Sequence, residues 1–293
     1  MDAFWITAQG SGSEGVPERV FPYWSFTKTV LAICALRLAE DGELDLDAQV
    51  SDAPCTLRQL LDHSGGLPDY GPLPAYRHAV AADEEPWPTE TLFRRTMAQG
   101  VRFAPGQGWA YSNLGYMLAR QHIETVSGQR FGALIRDMIA APLGLRGCRL
   151  AESREDFAQV HWPAARRYHP GWVYHGCLIG TAEDAALILH ALFDGRLVSA
   201  HSLTQMLDRH ELGGALEGRP WTLCGYGLGL MTGEVGAAGR ASGHSGAGPF
   251  SVNAVYHFPD LPRPVTVASF TDGHEEGVAE FDALRIALRE GGA

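Results

Sequence analysis

The run Ser25-Phe26-Thr27-Lys28-Thr29-Val30-Leu31-Ala32-Ile33-Cys34-Ala35-Leu36-Arg37-Leu38-Ala39-Glu40-Asp41-Gly42 reads as a helix over 25–41 with Gly42 as its stop. It is apolar on nearly every side, and a helix without a polar face belongs in a protein interior. Its lysine is therefore out of place. Lys28 is the only lysine in a chain that otherwise carries 22 arginines, so a reason is needed for the exception. Arginine cannot accept a proton, because its pKa lies above about 12, whereas burial and neighbours can neutralise a lysine amine. Ser25 lies three positions earlier, on the same helical face and within reach of that amine. The helix N-terminus favours negative charge developing on the serine, and Val30, Leu31 and Leu36 disfavour a charged amine. Both effects activate a serine nucleophile. The competing reading is a capping serine followed by a solvated lysine.

Moving outward, residues 4–7 read as a short strand that runs into a Gly/Ser-rich turn at 10–15. From about 57 to 207 the pattern is mainly helical, with helices expected at 89–99, 113–126, 131–140 and 182–193. Thr181 and Asp184 have the spacing of an N-terminal cap pair for the last of these. Beyond residue 212 the pattern turns to strands at 225–232, 251–258 and 264–270, and a helix at 278–289 closes the chain. This order predicts an α+β fold, a mainly antiparallel β-sheet flanked by helices with an inserted all-α domain. Residues 1–50 and 205–293 form the sheet domain in this reading, and 51–204 the helical one.

Composition narrows the function. A formal charge of −11 argues against nucleic-acid binding, and 45% hydrophobic against 19% charged residues describes a folded chain. The longest apolar stretch near the N-terminus, residues 30–36, is far short of the ~20 residues a membrane span needs. With no signal-type segment in the chain as given, a soluble cytoplasmic protein is expected. Cys34, Cys55, Cys148, Cys177 and Cys224 are odd in number and lack a C-x-x-C pair, so reduced, buried thiols are expected. The 12 histidines contain no H-E-x-x-H. His169 and His175 fall in a Pro/Gly/aromatic loop and read as surface or hydrogen-bonded loop residues, with no metal implied.

Two further segments carry chemistry. Tyr111-Ser112-Asn113 follows the Gly-rich approach Pro105-Gly106-Gln107-Gly108 and precedes a helix, a turn able to present a phenol and an amide into a cleft. Asn113 and Asn253 are the only asparagines. His244-Ser245-Gly246, bracketed by Gly243 and Ala247, leads into the strand at 251–258. Small residues there let backbone approach a ligand, and an N–H near Ala247 can join that of Ser25 in an oxyanion hole. A second copy, His63-Ser64-Gly65, follows the helical stretch 57–61 and reads as a loop with a structural histidine.

In order, S-x-x-K, Y-x-N and [KH]-[ST]-G form the motif set of penicillin-recognising serine hydrolases. The sequence resembles their class C β-lactamase-like branch, which includes esterases, D-stereospecific peptidases and related amidases, over about residues 20–272. Supporting segments are Leu60-Leu61-Asp62-His63-Ser64-Gly65-Gly66-Leu67, Gly225-Tyr226-Gly227-Leu228-Gly229 and Gly180-Thr181-Ala182-Glu183-Asp184. The resemblance implies Ser25 as the acylated nucleophile, Lys28 as the amine taking its proton, and Tyr111 as the phenol serving the leaving group and the deacylating water. It implies that Asn113 orients substrate and Lys28, and that His244, Ser245 and Gly246 line the opposite wall. Whether Lys28 or Tyr111 is the base stays open, since coupled groups share protons. Two departures stand out. His244 occupies a position where many β-lactamases carry lysine, and a neutral imidazole grips a carboxylate less well. Only 24 residues precede Ser25, where two strands are usual, so either an edge strand is lost or the chain begins late.

The expected activity is hydrolysis of small-molecule esters or amides through a covalent acyl-enzyme, without metal or organic cofactor. Hydrolysis of β-lactams or D-amino-acid peptides is the nearest alternative, and a ligand sensor without turnover is the alternative of a different class. Reading Gly243-His244-Ser245-Gly246-Ala247 as the G-x-S-x-G elbow of an α/β-hydrolase leaves only 48 residues for the rest of a triad, with Asp272 and His274 available, and no doubly wound pattern upstream. Trp109, Trp172 and Tyr174 lie near the motifs and either line an acyl pocket or pack between domains.

Overall fold

The computed structural model describes residues 1–51 and 53–293. Its central helix α1, Phe26–Glu40, buries twelve of its fifteen residues, as an all-round apolar surface requires. Gly42, at φ +75°, follows the last turn. The other helices are α2 (Leu57–Leu61), α3 (Pro74–Ala81), α4 (Thr89–Met97), α5 (Asn113–Ser127), α6 (Phe131–Ile135), α7 (Ala141–Leu143), α8 (Arg154–Phe157), α9 (Ala182–Phe193), α10 (Ala200–Leu207) and α11 (Glu276–Gly291). None of the described helices is long and apolar enough to cross a membrane.

The strands are β1 (Asp2–Thr7), β2 (Gly10–Glu14), β3 (Phe21–Pro22), β4 (Arg149–Ala151), β5 (Cys177–Gly180), β6 (His210–Gly213), β7 (Leu223–Tyr226), β8 (Met231–Glu234), β9 (Arg240–Ala247), β10 (Ser251–Phe258) and β11 (Val265–Asp272). Eight of them form one antiparallel sheet in the order β2-β1-β11-β10-β9-β8-β7-β6. Side chains alternate between its faces. Val255, Ala268 and Phe270 join the cluster around α1 and α9, whereas Ala254, Tyr256, Val265 and Val267 pack against Ala279, Ala283, Ile286 and Ala287 of α11. Cover on both faces leaves even the polar residues of β10 and β11 buried, Ser251, Asn253, Thr266 and Ser269 among them.

Four local expectations are corrected. Residues 10–14 are the edge strand β2 and not a turn, paired with β1 in the register Trp5↔Gly12. Two strands of the large sheet, β1 and β2, therefore precede Ser25, with β2 at its edge. The strand expected at 225–232 is the hairpin β7–β8, broken at residues 227–230. The helix expected at 131–140 is α6 followed by a π-helical turn, Arg136–Ala140. Finally, the helical stretch contains two strands, β4 and β5, which join β3 in a small sheet of order β3-β5-β4. Phe21 of β3 stacks on Phe270 at 4.8 Å between ring centres, fixing the chain just before Ser25 onto the large sheet. Thr181 and Asp184 form a reciprocal cap on α9, and all five cysteines are buried and free.

Candidate active site

Ser25 begins α1 without making a side-chain cap, and between residues 21 and 30 it alone keeps partial solvent access. Trp24, immediately before it, is held at φ +44°, a left-handed conformation that bulky residues rarely adopt. The Trp24 indole is pinned by donation from Nε1 to Ser251 Oγ at 3.0 Å and by edge contacts with Phe157, Tyr168 and Phe250. Lys28 is fully buried. Both parts of the bland reading, the capping serine and the solvated lysine, are thereby excluded.

Around Ser25 the three motifs converge. Lys28 Nζ lies 3.0 Å from Ser25 Oγ and donates to Asn113 Oδ1 at 2.8 Å, while the Tyr111 hydroxyl donates to Ser25 Oγ at 2.9 Å. Burial lowers the Lys28 pKa to about 7, against the opposing pull of Asp69 and Glu276. The Tyr111 phenol is pushed well above its usual value by burial, only partly offset by its bond to Ser25. Near neutral pH the amine thus exchanges its proton and the phenol keeps its own.

The loop after α2 builds the seat for this cluster. Ser112 caps α5 by accepting from Gly115 N and donates to Pro68 O at 2.9 Å, and its N–H donates to His63 Nδ1 at 3.2 Å. The His63 ring packs 4.4 Å from the Tyr111 ring and 4.6 Å from that of Tyr226. Asp69 accepts from Asn113 N at 2.9 Å and from Asn113 Nδ2 at 3.3 Å. With its nitrogen turned to Asp69, the Asn113 amide has its oxygen facing Lys28. No motif announced Asp69.

Strand β9 forms the opposite wall. His244 Nε2 lies 3.0 Å from the Tyr226 hydroxyl, and its Nδ1 meets Ser245 O. Burial, with Lys28 adding to it, lowers His244 to about 3, so the ring is neutral throughout the working range. Ser245 Oγ accepts from Arg219 Nη2 at 2.8 Å and donates to Glu276 Oε1 at 3.0 Å. A serine so engaged, inside a strand of an antiparallel sheet, is no α/β-hydrolase nucleophile. A Cβ on Gly246 would sit 2.8 Å from both Ser25 N and Trp24 Cβ. Gly246→Ala is therefore expected to displace Ser25 and lower kcat/KM on an ester by about 10²-fold, the scale of an oxyanion-hole loss, with the melting temperature changed far less; kinetics beside a thermal melt check this.

Two clefts meet at Ser25, Asn113 and Ala247. One, of about 930 Å³, is walled by Trp24, Tyr70, Tyr76, Tyr168, Trp172 and Phe250. The other, of about 740 Å³, runs past Trp109 and Tyr226 to Arg219, His244, Ser245 and Glu276. Of the aromatics expected at a pocket, Trp172 and Trp109 line these clefts, whereas Tyr174 points away and donates its hydroxyl to Trp87 O at 2.8 Å. His175, read from the sequence as an ordinary loop residue, is instead buried with Nε2 3.3 Å from Lys28 Nζ.

The family described as Beta-lactamase matches residues 9–290. The chain belongs to this family. Esterase EstB of Burkholderia gladioli is 26% identical over 93% of this chain and 82% of its own length. Among solved structures, a D-stereospecific amidohydrolase from Streptomyces sp. superposes with a TM-score of 0.82 at 24% identity, covering 100% of this chain and 94% of that one. A D-amino acid amidase from Ochrobactrum anthropi SV3 gives 0.81 at 20% identity, covering 100% and 94%. At such identities the structural likeness speaks for the fold. The α+β architecture, the family and the serine-hydrolase class that the motifs implied all hold.

Proposed function

We propose that the chain hydrolyses carboxylic esters and small amides through an acyl-enzyme on Ser25, and that its substrates carry no carboxylate beside the scissile bond. The observation that carries this reading is the triangle of Lys28 Nζ, Ser25 Oγ and Tyr111 Oη around an amine that is half neutral near pH 7. Neutral Lys28 takes the Ser25 proton as Oγ bonds to the carbonyl carbon, and the carbonyl electron pair moves onto oxygen, facing the N–H groups of Ser25 and Ala247. Tyr111 passes a proton to the leaving alcohol or amine as its bond to carbon breaks. Water then attacks the acyl carbon, giving up a proton to the same pair, and Ser25 leaves with one restored.

Substrate class follows from the charges in the second cleft. His244 is neutral, and the single cation of that wall, Arg219, is engaged by Glu280 and Glu276. A substrate carboxylate finds no free cation there and meets Glu276 instead. The aromatic cleft, whose lining also carries Arg77 and Arg167, supports an aromatic group on the other side of the bond. The esterase relative supports the ester part of this reading.

The test is steady-state kinetics in parallel on p-nitrophenyl acyl esters, nitrocefin and a D-Ala-D-Ala peptide. Esters are expected to lead by about 10- to 10²-fold in kcat/KM, the scale of a missing charged hydrogen bond. Nitrocefin turned over as fast as the esters would reverse the substrate assignment, and a fluorophosphonate that leaves Ser25 unlabelled would point to a ligand sensor.

A further inference from the structure

His175 lies in the turn before β5 and is only 2% exposed. Its Nε2 is 3.3 Å from Lys28 Nζ, and its Nδ1 is buried. The amine thus has three polar neighbours, Ser25 Oγ, Asn113 Oδ1 and His175 Nε2. An ammonium offers one N–H to each. A neutral amine has two N–H bonds and a lone pair, and only one of the three arrangements is productive: the lone pair must face the Ser25 hydroxyl.

Asn113 cannot serve as anything but an acceptor toward Lys28, because Asp69 holds its nitrogen. One direction remains to be decided. We propose that His175 is a positioning residue, whose bare Nε2 accepts the second N–H of neutral Lys28 and leaves the lone pair aimed at Ser25. This rests on the assignment of Lys28 as the base. The same bond favours the ammonium formed once Lys28 has taken the serine proton, so it steadies the amine on both sides of the transfer. The tautomer required places hydrogen on Nδ1, on a ring for which the Trp24 backbone hydrogen bond acts to keep a proton.

The surroundings keep the imidazole in that role. Burial, then Lys28, drive its pKa well below the usual histidine value against the Trp24 backbone hydrogen bond, with His244 and Arg120 adding smaller pulls in the lowering direction. Around Lys28 stand Asp69, Glu276 and Cys177, with the Tyr111 and Tyr116 rings 4.9 and 5.5 Å from Nζ. A neutral histidine among these groups remains an acceptor across the pH range in which Lys28 titrates.

Because Lys28 is the only lysine, protein labelled with [13Cε]lysine gives one lysine signal to titrate by NMR, and no substrate is needed. The wild-type midpoint is expected near pH 7. Loss of an acceptor disfavours the ammonium, so in His175→Leu the midpoint falls by about one pH unit or more. His175→Gln, which offers an amide oxygen, restores it, and the acid limb of kcat/KM moves with the titration in both variants. A midpoint that stays put or rises in His175→Leu overturns the proposal, the rise meaning that Nε2–H had donated to the lone pair. Should His175→Leu fail to fold, the wild-type tautomer decides: in [15N]histidine spectra, the signal lost in His175→Gln must show hydrogen on Nδ1, and hydrogen on Nε2 overturns it. Failure of the hydrolase reading would appear separately, as turnover surviving Ser25→Ala.

Discussion

Lys28→Arg is expected to lower kcat/KM on an ester substrate by about 10³–10⁴-fold, the upper range for loss of general-base catalysis. The substitution keeps the positive charge and the reach, so a purely electrostatic role for the lysine would survive it. It removes only the ability to give up a proton, since a guanidinium stays protonated in proteins. Wild-type kcat/KM should rise about tenfold per pH unit in acid and level off above pH 7, where Lys28 is neutral; the variant should be flat and low from pH 5 to 9. Lys28→Met tests the same step without enlarging a buried side chain. It also makes a stability statement. The folded pKa lies near 7 against 10.5 for the free side chain, so between these values the unfolded chain binds more protons and wild-type stability climbs with pH. The stability of wild type relative to Lys28→Met should therefore increase from pH 7 to about 10.5. Either variant retaining a tenth of wild-type activity would remove Lys28 from the mechanism.

What the sequence disclosed and what it concealed divide along a physical line. Lys28 was legible because an amine inside an all-apolar helix conflicts with its surroundings, and Ser25 because one helical turn brings it to that amine. Tyr111, Asn113 and the His244–Gly246 segment were legible as short local patterns of turn and strand. The edge strand β2 was not, because an exposed strand built of Gly and Ser has no apolar alternation and shares its composition with a turn. The break between β7 and β8 was hidden by flanking residues that are strand-like on both sides. Asp69 and His175 reach the site from loops 44 residues before Asn113 and 147 after Lys28. Their contacts are made by tertiary packing alone. In a chain with 12 histidines, residue type gave no reason to prefer His175, and the aromatic loop around it suggested packing. The β9 wall shows a third kind of concealment. The His-Ser-Gly pattern located it, but the charge balance that shapes substrate choice comes from Arg219, Glu276 and Glu280, none of which belongs to a motif.

Glu280→Ala is expected to destabilise the protein by about 3–5 kcal/mol, the range for removing one partner of a buried ion pair. The Glu280 side chain is 1% exposed. It accepts from Arg219 Nε at 2.7 Å and also from Nη2, from Trp221 Nε1 at 3.1 Å and from the Tyr256 hydroxyl at 2.9 Å. Its loss leaves Trp221 Nε1 unsatisfied under α11, the Tyr256 hydroxyl with only the weak acceptor Met231 Sδ at 3.4 Å, and the guanidinium, 21% exposed, with Glu276 as its remaining carboxylate. Urea unfolding at pH 7 measures the cost, and a value below about 1 kcal/mol would mean that water takes over these bonds. Glu280→Gln separates packing from charge: it preserves shape and an acceptor for Trp221 or Tyr256 but cancels one negative charge beside Arg219. Arg219 Nη2 also holds Ser245 Oγ, on the wall facing Ser25. With less of its charge neutralised, Arg219 becomes the cation that the second cleft lacks. The ratio of kcat/KM for nitrocefin to that for a p-nitrophenyl ester should therefore rise in Glu280→Gln, even though the fold is weakened. An unchanged ratio would mean that the Arg219–Glu280 pair supports the sheet and α11 without setting which acyl compounds reach Ser25.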